Sequence, residues 1–151
     1  MENPLFRGCL DKQEQLKQIF KACTTPEAVY QKIMEWGRSN TSLAEHLKTP
    51  EHLVKGCQST VYMHAYLQDG KVFFEVDSEA LISSGLAALL LFIYNGQPPE
   101  VILKCPPTCI TELGIHTSLT PGRSNGLASI YLRMKQEALK FLVPSQPSTF
   151  T

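Results

Sequence analysis

Ser59-Thr60-Val61-Tyr62-Met63-His64-Ala65-Tyr66-Leu67-Gln68-Asp69-Gly70-Lys71-Val72-Phe73-Phe74-Glu75-Val76 is the stretch on which the fold turns. Val61, Met63, Ala65 and Leu67 alternate with Tyr62, His64, Tyr66 and Gln68. A period of two puts one set on each face of a strand. Asp69-Gly70 suits a two-residue hairpin turn, which needs positive φ at both central positions. Val72, Phe74 and Val76 then form the inward side of the returning strand.

On either side the period becomes that of helices. Upstream, Leu16, Ile19, Phe20 and Cys23 stand at i, i+3, i+4 and i+7, which predicts a helix from about Asp11 after a loose start. Thr25-Pro26-Glu27 reads as an N-cap, a proline at the first helical position and a first-turn acid. The helix that follows carries Val29, Ile33 and Trp36 on one face, with Gly37 as its expected stop.

Downstream, Ser78 is the expected N-cap of a helix whose segment Ala87 to Tyr94 is apolar nearly all round. Such a helix belongs in the middle of a fold. Gly96 ends it. Short helical turns are expected from Gln97-Pro98-Pro99-Glu100 through Leu103 and from about Thr108 to Leu113, the second stopping at Gly114. A last helix, about Pro121 to Leu142, lines Leu127, Ile130, Tyr131, Met134, Ala138 and Phe141 along one face. Two strands rarely make a stable sheet alone. A third is therefore expected, with Leu43 to Val54 as the candidate. The sum is an α+β fold, a small antiparallel sheet packed on several helices. Residues 1–143 read as one domain, and the Pro/Ser-rich 144–151 as a disordered tail.

Composition limits the function. With 151 residues the chain has room for one domain and a real core. Lys+Arg and Asp+Glu are 14 each, so no net charge draws the chain to nucleic acid or anionic lipid. The most apolar run, Leu86 to Tyr94, is far shorter than the ~20 residues that span a bilayer. The five cysteines are an odd set, and the N-terminus, with Glu2 and Arg7, lacks the apolar core of a secretory signal. Free thiols in a reducing cytoplasm are the expectation.

The residues that can carry chemistry begin just before the first strand, at Lys55-Gly56-Cys57-Gln58-Ser59. A loop ahead of a rigid strand commonly holds function. Gly56 permits a backbone shape that other residues resist. A cysteine there can present its sulfur at a loop tip, although spacing alone favours a small packing residue at a strand start, since lone cysteines are usually structural and inert.

Val54-Lys55-Gly56-Cys57-Gln58-Ser59-Thr60-Val61-Tyr62 resembles the cysteine motif of the SufE/CsdE-type cysteine desulfuration proteins. Asp77-Ser78-Glu79-Ala80-Leu81-Ile82 with Gly85-Leu86 resembles that family's second block. Leu119-Thr120-Pro121-Gly122-Arg123-Ser124-Asn125-Gly126-Leu127 resembles its third. The blocks stand in the family's order. The resemblance implies a SufE/IscU-like fold and a sulfur acceptor. A pyridoxal-phosphate cysteine desulfurase of the SufS/CsdA type would load Cys57 with a persulfide, and a downstream iron–sulfur scaffold would receive the sulfur.

Cys57 is then the nucleophile, Arg123 the stabiliser of thiolate or persulfide charge, and Glu79 the acid that orients the arginine. Lys55, Gly56, Gln58 and Ser59 would meet the partner. No cofactor is expected on this chain, since the pyridoxal phosphate belongs to the desulfurase. The chain would stimulate that enzyme as a transpersulfuration partner and not act as an independent enzyme; a homodimer is compatible with this reading. Three positions depart from the family pattern: Glu79 stands for the usual Asp, Tyr62 for Trp, and Gly122 for Ser.

A rival reading uses Cys57 with the C-x3-C pair Cys105 and Cys109 as an iron–sulfur or zinc scaffold. The histidines show no HxxxH or HExxH spacing. Gly122 to Gly126 lacks a Walker lysine, which argues against a nucleotide site.

Overall fold

A computed structural model describes residues 4–40 and 42–143. The tail expected at 144–151 lies outside them. The hairpin forms as its alternation dictates: β1 (Val61–Gln68) pairs antiparallel with β2 (Lys71–Ser78), with Val61 opposite Ser78 and Gln68 opposite Lys71. Asp69 and Gly70 take φ of 54° and 77°, the left-handed pair that a two-residue turn demands. Val61, Met63, Val72, Phe74 and Val76 are buried on the inward face. On the outward face His64 stacks on Tyr66, and Tyr66 stacks on Phe73 across the strands.

The expected third strand is absent among the described residues, and the sheet has two strands. Leu43 to Val54 instead contains two short 3₁₀ turns, Glu45–Leu47 and Pro50–His52. Only Leu53 pairs with β1, by a single bridge to Tyr62, and the Val54 N–H donates to the Val61 carbonyl at 2.8 Å. The other edge is met by one bridge from Gln97 to Val72. Each edge thus finds backbone partners without a strand, and packing on helices supplies what a third strand would have supplied.

Helix α1 (Arg7–Phe20) begins a turn earlier than expected. Its buried stripe is Cys9, Gln13, Leu16 and Phe20, and the polar Gln13 hides that stripe in the sequence. Helix α2 (Pro26–Ser39) starts as expected, with the Thr25 hydroxyl accepting from the Ala28 N–H at 3.1 Å. It runs past Gly37, so Gly37 is not its stop. There α2 crosses α3 (Leu81–Tyr94). A Cβ on Gly37 would strike the Leu81 carbonyl, and one on Gly85 would strike the Ile33 carbonyl. Two glycines let the backbones touch.

Helix α3 is the central element, with Leu86, Leu89, Leu90, Ile93 and Tyr94 all at or below 1% exposure. Burying each such side chain contributes about 1.5–3 kcal/mol. Ser78 does not cap α3: it ends β2, and its hydroxyl accepts from the Ala80 N–H at 3.3 Å. Helices α4 (Pro99–Lys104) and α5 (Thr108–Glu112) are the two short turns, and Gly114 follows with φ 68°. Helix α6 (Pro121–Leu142) packs Leu127, Ile130, Met134 and Ala138 inward. No described helix is long and apolar enough to cross a membrane.

Candidate functional site

Helix α6 seats the cysteine loop along one face. Gly122, Gly126, Ser129 and Arg133 recur at intervals of three and four, so they lie in a row. The loop runs down this row in the opposite sense. Arg133 donates from Nη1 to the Leu53 carbonyl at 2.8 Å and from Nη2 to the Glu51 carbonyl at 2.6 Å. Gly56 lies against Ser129, whose hydroxyl would collide with any Cβ there, and its φ is +91°. The Cys57 thiol points at the Gly126 carbonyl, with Sγ to O at 3.8 Å. The Gln58 amide occupies the space that a side chain at Gly122 would need. The missing side chain at Gly122 thus leaves room for the Gln58 amide against the helix.

Cys57 is half-buried, and burial pushes its thiol above the ordinary value. The Arg123 backbone N–H is capped by the Thr120 hydroxyl at 3.4 Å, at the first turn of α6. Its guanidinium turns to α3, where Nη1 donates to Ser83 Oγ at 3.2 Å. Ser83 is 6% exposed and shares a 2.6 Å hydrogen bond with Ser59 Oγ, two residues after Cys57. Ser59, Ser83 and Arg123 therefore form one chain of hydrogen bonds from the cysteine loop through α3 to the start of α6. Ser83 carried no signal in the sequence. It reads there as one small residue in an apolar helix.

Glu79 stands apart from this chain. It is exposed on the link between β2 and α3, beside a recess lined also by Glu45, Lys48, Tyr62 and Asp77. Among the described residues no ion pair joins Glu79 to Arg123, and the guanidinium is held by Ser83 instead. The reason is local: β2 extends through Ser78, and α3 begins only at Leu81. Glu79 is thereby left outside the helix. The neighbouring acid is the engaged one. Asp77 accepts from the Leu43 N–H at 2.9 Å and pairs with Lys48 at 3.2 Å. Lys55, Gly56 and Gln58 are exposed around the thiol.

Cys105 and Cys109 do not join Cys57. They are buried with Cys9 about the side chain of Gln13. Gln13 Nε2 donates to the Pro106 carbonyl at 3.0 Å and lies 3.5 Å from Cys9 Sγ and 3.9 Å from Cys105 Sγ. Its Oε1 accepts from the Cys109 N–H at 3.0 Å. Burial, reinforced by neighbouring thiols, pushes Cys9 up to about 12. Cys109 is likewise pushed up to about 12. Among the described residues no group of three or more His, Cys, Asp or Glu is placed to hold a metal. Cys57, Cys105 and Cys109 therefore do not make the joint site that the scaffold reading requires.

Residues 14–138 match the SufE family, described as an Fe-S metabolism associated domain. The chain is 34% identical over 136 residues to SufE-like protein 1, chloroplastic/mitochondrial, of Arabidopsis thaliana, covering 89% of this chain but only 37% of that longer protein. An uncharacterized SufE-like protein of Synechocystis is 37% identical over 122 residues, covering 81% of this chain and 77% of its own length. Among solved structures, a hypothetical protein from Thermus thermophilus is similar with a TM-score of 0.71 at 26% identity, over 87% of this chain and 96% of that one.

Proposed function

Because this chain belongs to the SufE family of Fe-S metabolism associated domains, we propose that it accepts sulfur on Cys57 from a pyridoxal-phosphate cysteine desulfurase and passes it to iron–sulfur cluster assembly. One observation carries the reading. Of the five cysteines, Cys9, Cys105 and Cys109 are buried, and Cys23 lies between α1 and α2. Only Cys57 stands at a loop with a cation and a hydroxyl relay at its foot.

The step is an exchange of one sulfur–sulfur bond for another. The Cys57 thiol gives up its proton, and its thiolate attacks the outer sulfur of the desulfurase persulfide. The bond between that sulfur and the desulfurase cysteine breaks. The desulfurase cysteine leaves as thiolate and takes up a proton. Cys57 then carries the persulfide, with no net oxidation or reduction. A second thiol discharges it by the same exchange.

At rest the thiol is protonated, since burial disfavours the charged form. Docking of the desulfurase would draw the loop tip outward, restore water or donors to the sulfur and lower the cost of ionisation. Arg123 stands one hydroxyl away from Ser59 and would swing from Ser83 toward the anion as it forms.

The test is to mix the protein with a SufS-type desulfurase and cysteine and locate the added sulfur atom by peptide mass spectrometry. Addition on the Cys57 peptide, lost in Cys57→Ser, supports the reading. Sulfur spread evenly over all five thiols, or full relay by Cys57→Ser, overturns it.

A further inference from the structure

The face of α6 that seats Cys57 carries a second cation, Arg133, which the sulfur exchange does not use. Its side chain is 17% exposed, and each of its three nitrogens is engaged. Nε donates to Glu137 Oε2 at 2.8 Å, one turn further along the helix. Nη1 and Nη2 grip two carbonyls, those of Leu53 and Glu51, in the limb that leads into the cysteine loop. Glu137 is 13% exposed and is also bound by Lys140 at 3.1 Å. A planar fork held from behind by a carboxylate presents two donors in fixed directions to two carbonyls, whereas a lysine offers its donors from one mobile atom and leaves no separate Nε–H for the carboxylate.

Past Val54, whose N–H reaches β1, the tip meets α6 through the Gly56–Ser129 contact, the long 3.8 Å thiol bond and the Gln58 amide over Gly122, and the far limb is tied to α3, not α6, by the Ser59–Ser83 hydrogen bond. The charged grip of Arg133 is the strongest tie between this limb and the helix that shields the sulfur.

We propose that Arg133, braced by Glu137, is a positioning residue for Cys57: it locks the incoming limb of the cysteine loop to α6 and so sets how far the thiol is shielded. This rests on the reading of Cys57 as the sulfur acceptor. Loss of the fork frees the limb while leaving β1 paired with β2, because the hairpin takes no bond from Arg133.

The experiment measures alkylation of the full chain by iodoacetamide, without any desulfurase, resolved peptide by peptide. Arg133→Met is expected to raise the Cys57 rate about tenfold, the equivalent of one charge-assisted hydrogen bond lost. Arg133→Lys should fall between Arg133→Met and the parent. Glu137→Gln, which keeps the guanidinium but removes its brace, should give a smaller rise. Hydrogen exchange of the β1–β2 amides should stay at the parental rate. A Cys57 rate equal to the parent in Arg133→Met overturns the proposal. So does a rise shared equally by Cys9 and Cys109, which would mean general loosening. If Arg133→Met does not fold, Arg133→Lys and Glu137→Gln decide by the same readout. Sulfur loading by a desulfurase is then measured separately. Faster alkylation without any loading on Cys57 in the parent defeats the acceptor reading alone, and normal loading with unchanged alkylation defeats the lock alone.

Discussion

Arg123 Nη1 donates to Ser83 Oγ at 3.2 Å, so the cation of the third sequence block is held by a buried serine of α3 and not by the acid of the second block. Ser83 in turn holds Ser59 at 2.6 Å. One hydroxyl couples the arginine to the cysteine loop. Ser83→Ala should slow sulfur loading of Cys57 about tenfold, the loss of one hydrogen bond to a charged group, while far-ultraviolet circular dichroism stays unchanged. Loading is timed by mass spectrometry after mixing with desulfurase and cysteine. A parental rate would show that the relay has no part in the chemistry.

Burial raises the Cys57 thiol above its ordinary value of 9.0. The folded loop therefore holds the proton more tightly than an open chain does. Its contribution to loop stability is fully present below pH 9.0 and is lost as pH rises through the raised folded value. The alkylation rate of Cys57 should accordingly show its midpoint above 9.0, and should move down toward that value when the loop is freed by Arg133→Met. A midpoint below 9.0 in the parent would mean that Arg123 already acts on the sulfur at rest.

The thiols should label in a fixed order. Cys9 and Cys109 are pushed up to about 12 and are shut inside the α1–α5 contact, so neither charge nor access favours them. In native buffer Cys57 and Cys23 should be modified first, and Cys9, Cys105 and Cys109 only on unfolding. Labelling of Cys109 as fast as Cys57 would contradict the packing about Gln13.

The glycine crossing of α2 and α3 gives a stability prediction with an unusual sign. In an open helix Gly→Ala gains about 1 kcal/mol. At Gly85 the new methyl would enter the Ile33 carbonyl, so a backbone must move. Gly85→Ala should instead destabilise the fold by about 3 kcal/mol, read from chemical denaturation. A variant as stable as the parent would mean that the two helices can part without cost.

Glu137 supplies the acid limb. Burial alone would raise its carboxyl, yet hydrogen bonds from Arg133 and Lys140 outweigh that and hold it below its ordinary 4.5. Glu51 and Lys55 line the same recess. Stability from this group is present above pH 4.5 and fades as pH falls through the lower folded value. Glu137→Gln should flatten that part of the acid denaturation curve. An unchanged curve would show the carboxylate to be unpaired in solution.

The hairpin, the Thr25-Pro26 helix start and the full span of α6 were legible in the residues, because alternation, turn chemistry and capping act between near neighbours. The start of α1 was not, since Gln13 looks like a surface residue until its partners at Pro106 and Cys109, more than ninety positions away, are seen. Gly37 has two meanings in a sequence, helix stop or close contact, and only the presence of Leu81 beneath it selects the second. The third strand failed for a similar reason: Leu53 and Gln97 satisfy the sheet edges from segments with no strand pattern.

Read as a string, the chain determines its hairpin and most of its helical spans, because each depends on chemistry within a few positions; the cysteine proposed to bear sulfur was singled out by the resemblance of its motif to that of the SufE/CsdE-type proteins. Which groups surround that sulfur was decided by packing. Arg123 meets Ser83, and Arg133 meets Glu51 and Leu53, only because α6 lies across α3 and along the cysteine loop. Contacts between residues forty and eighty positions apart follow from how apolar faces stack, and no local pattern encodes them.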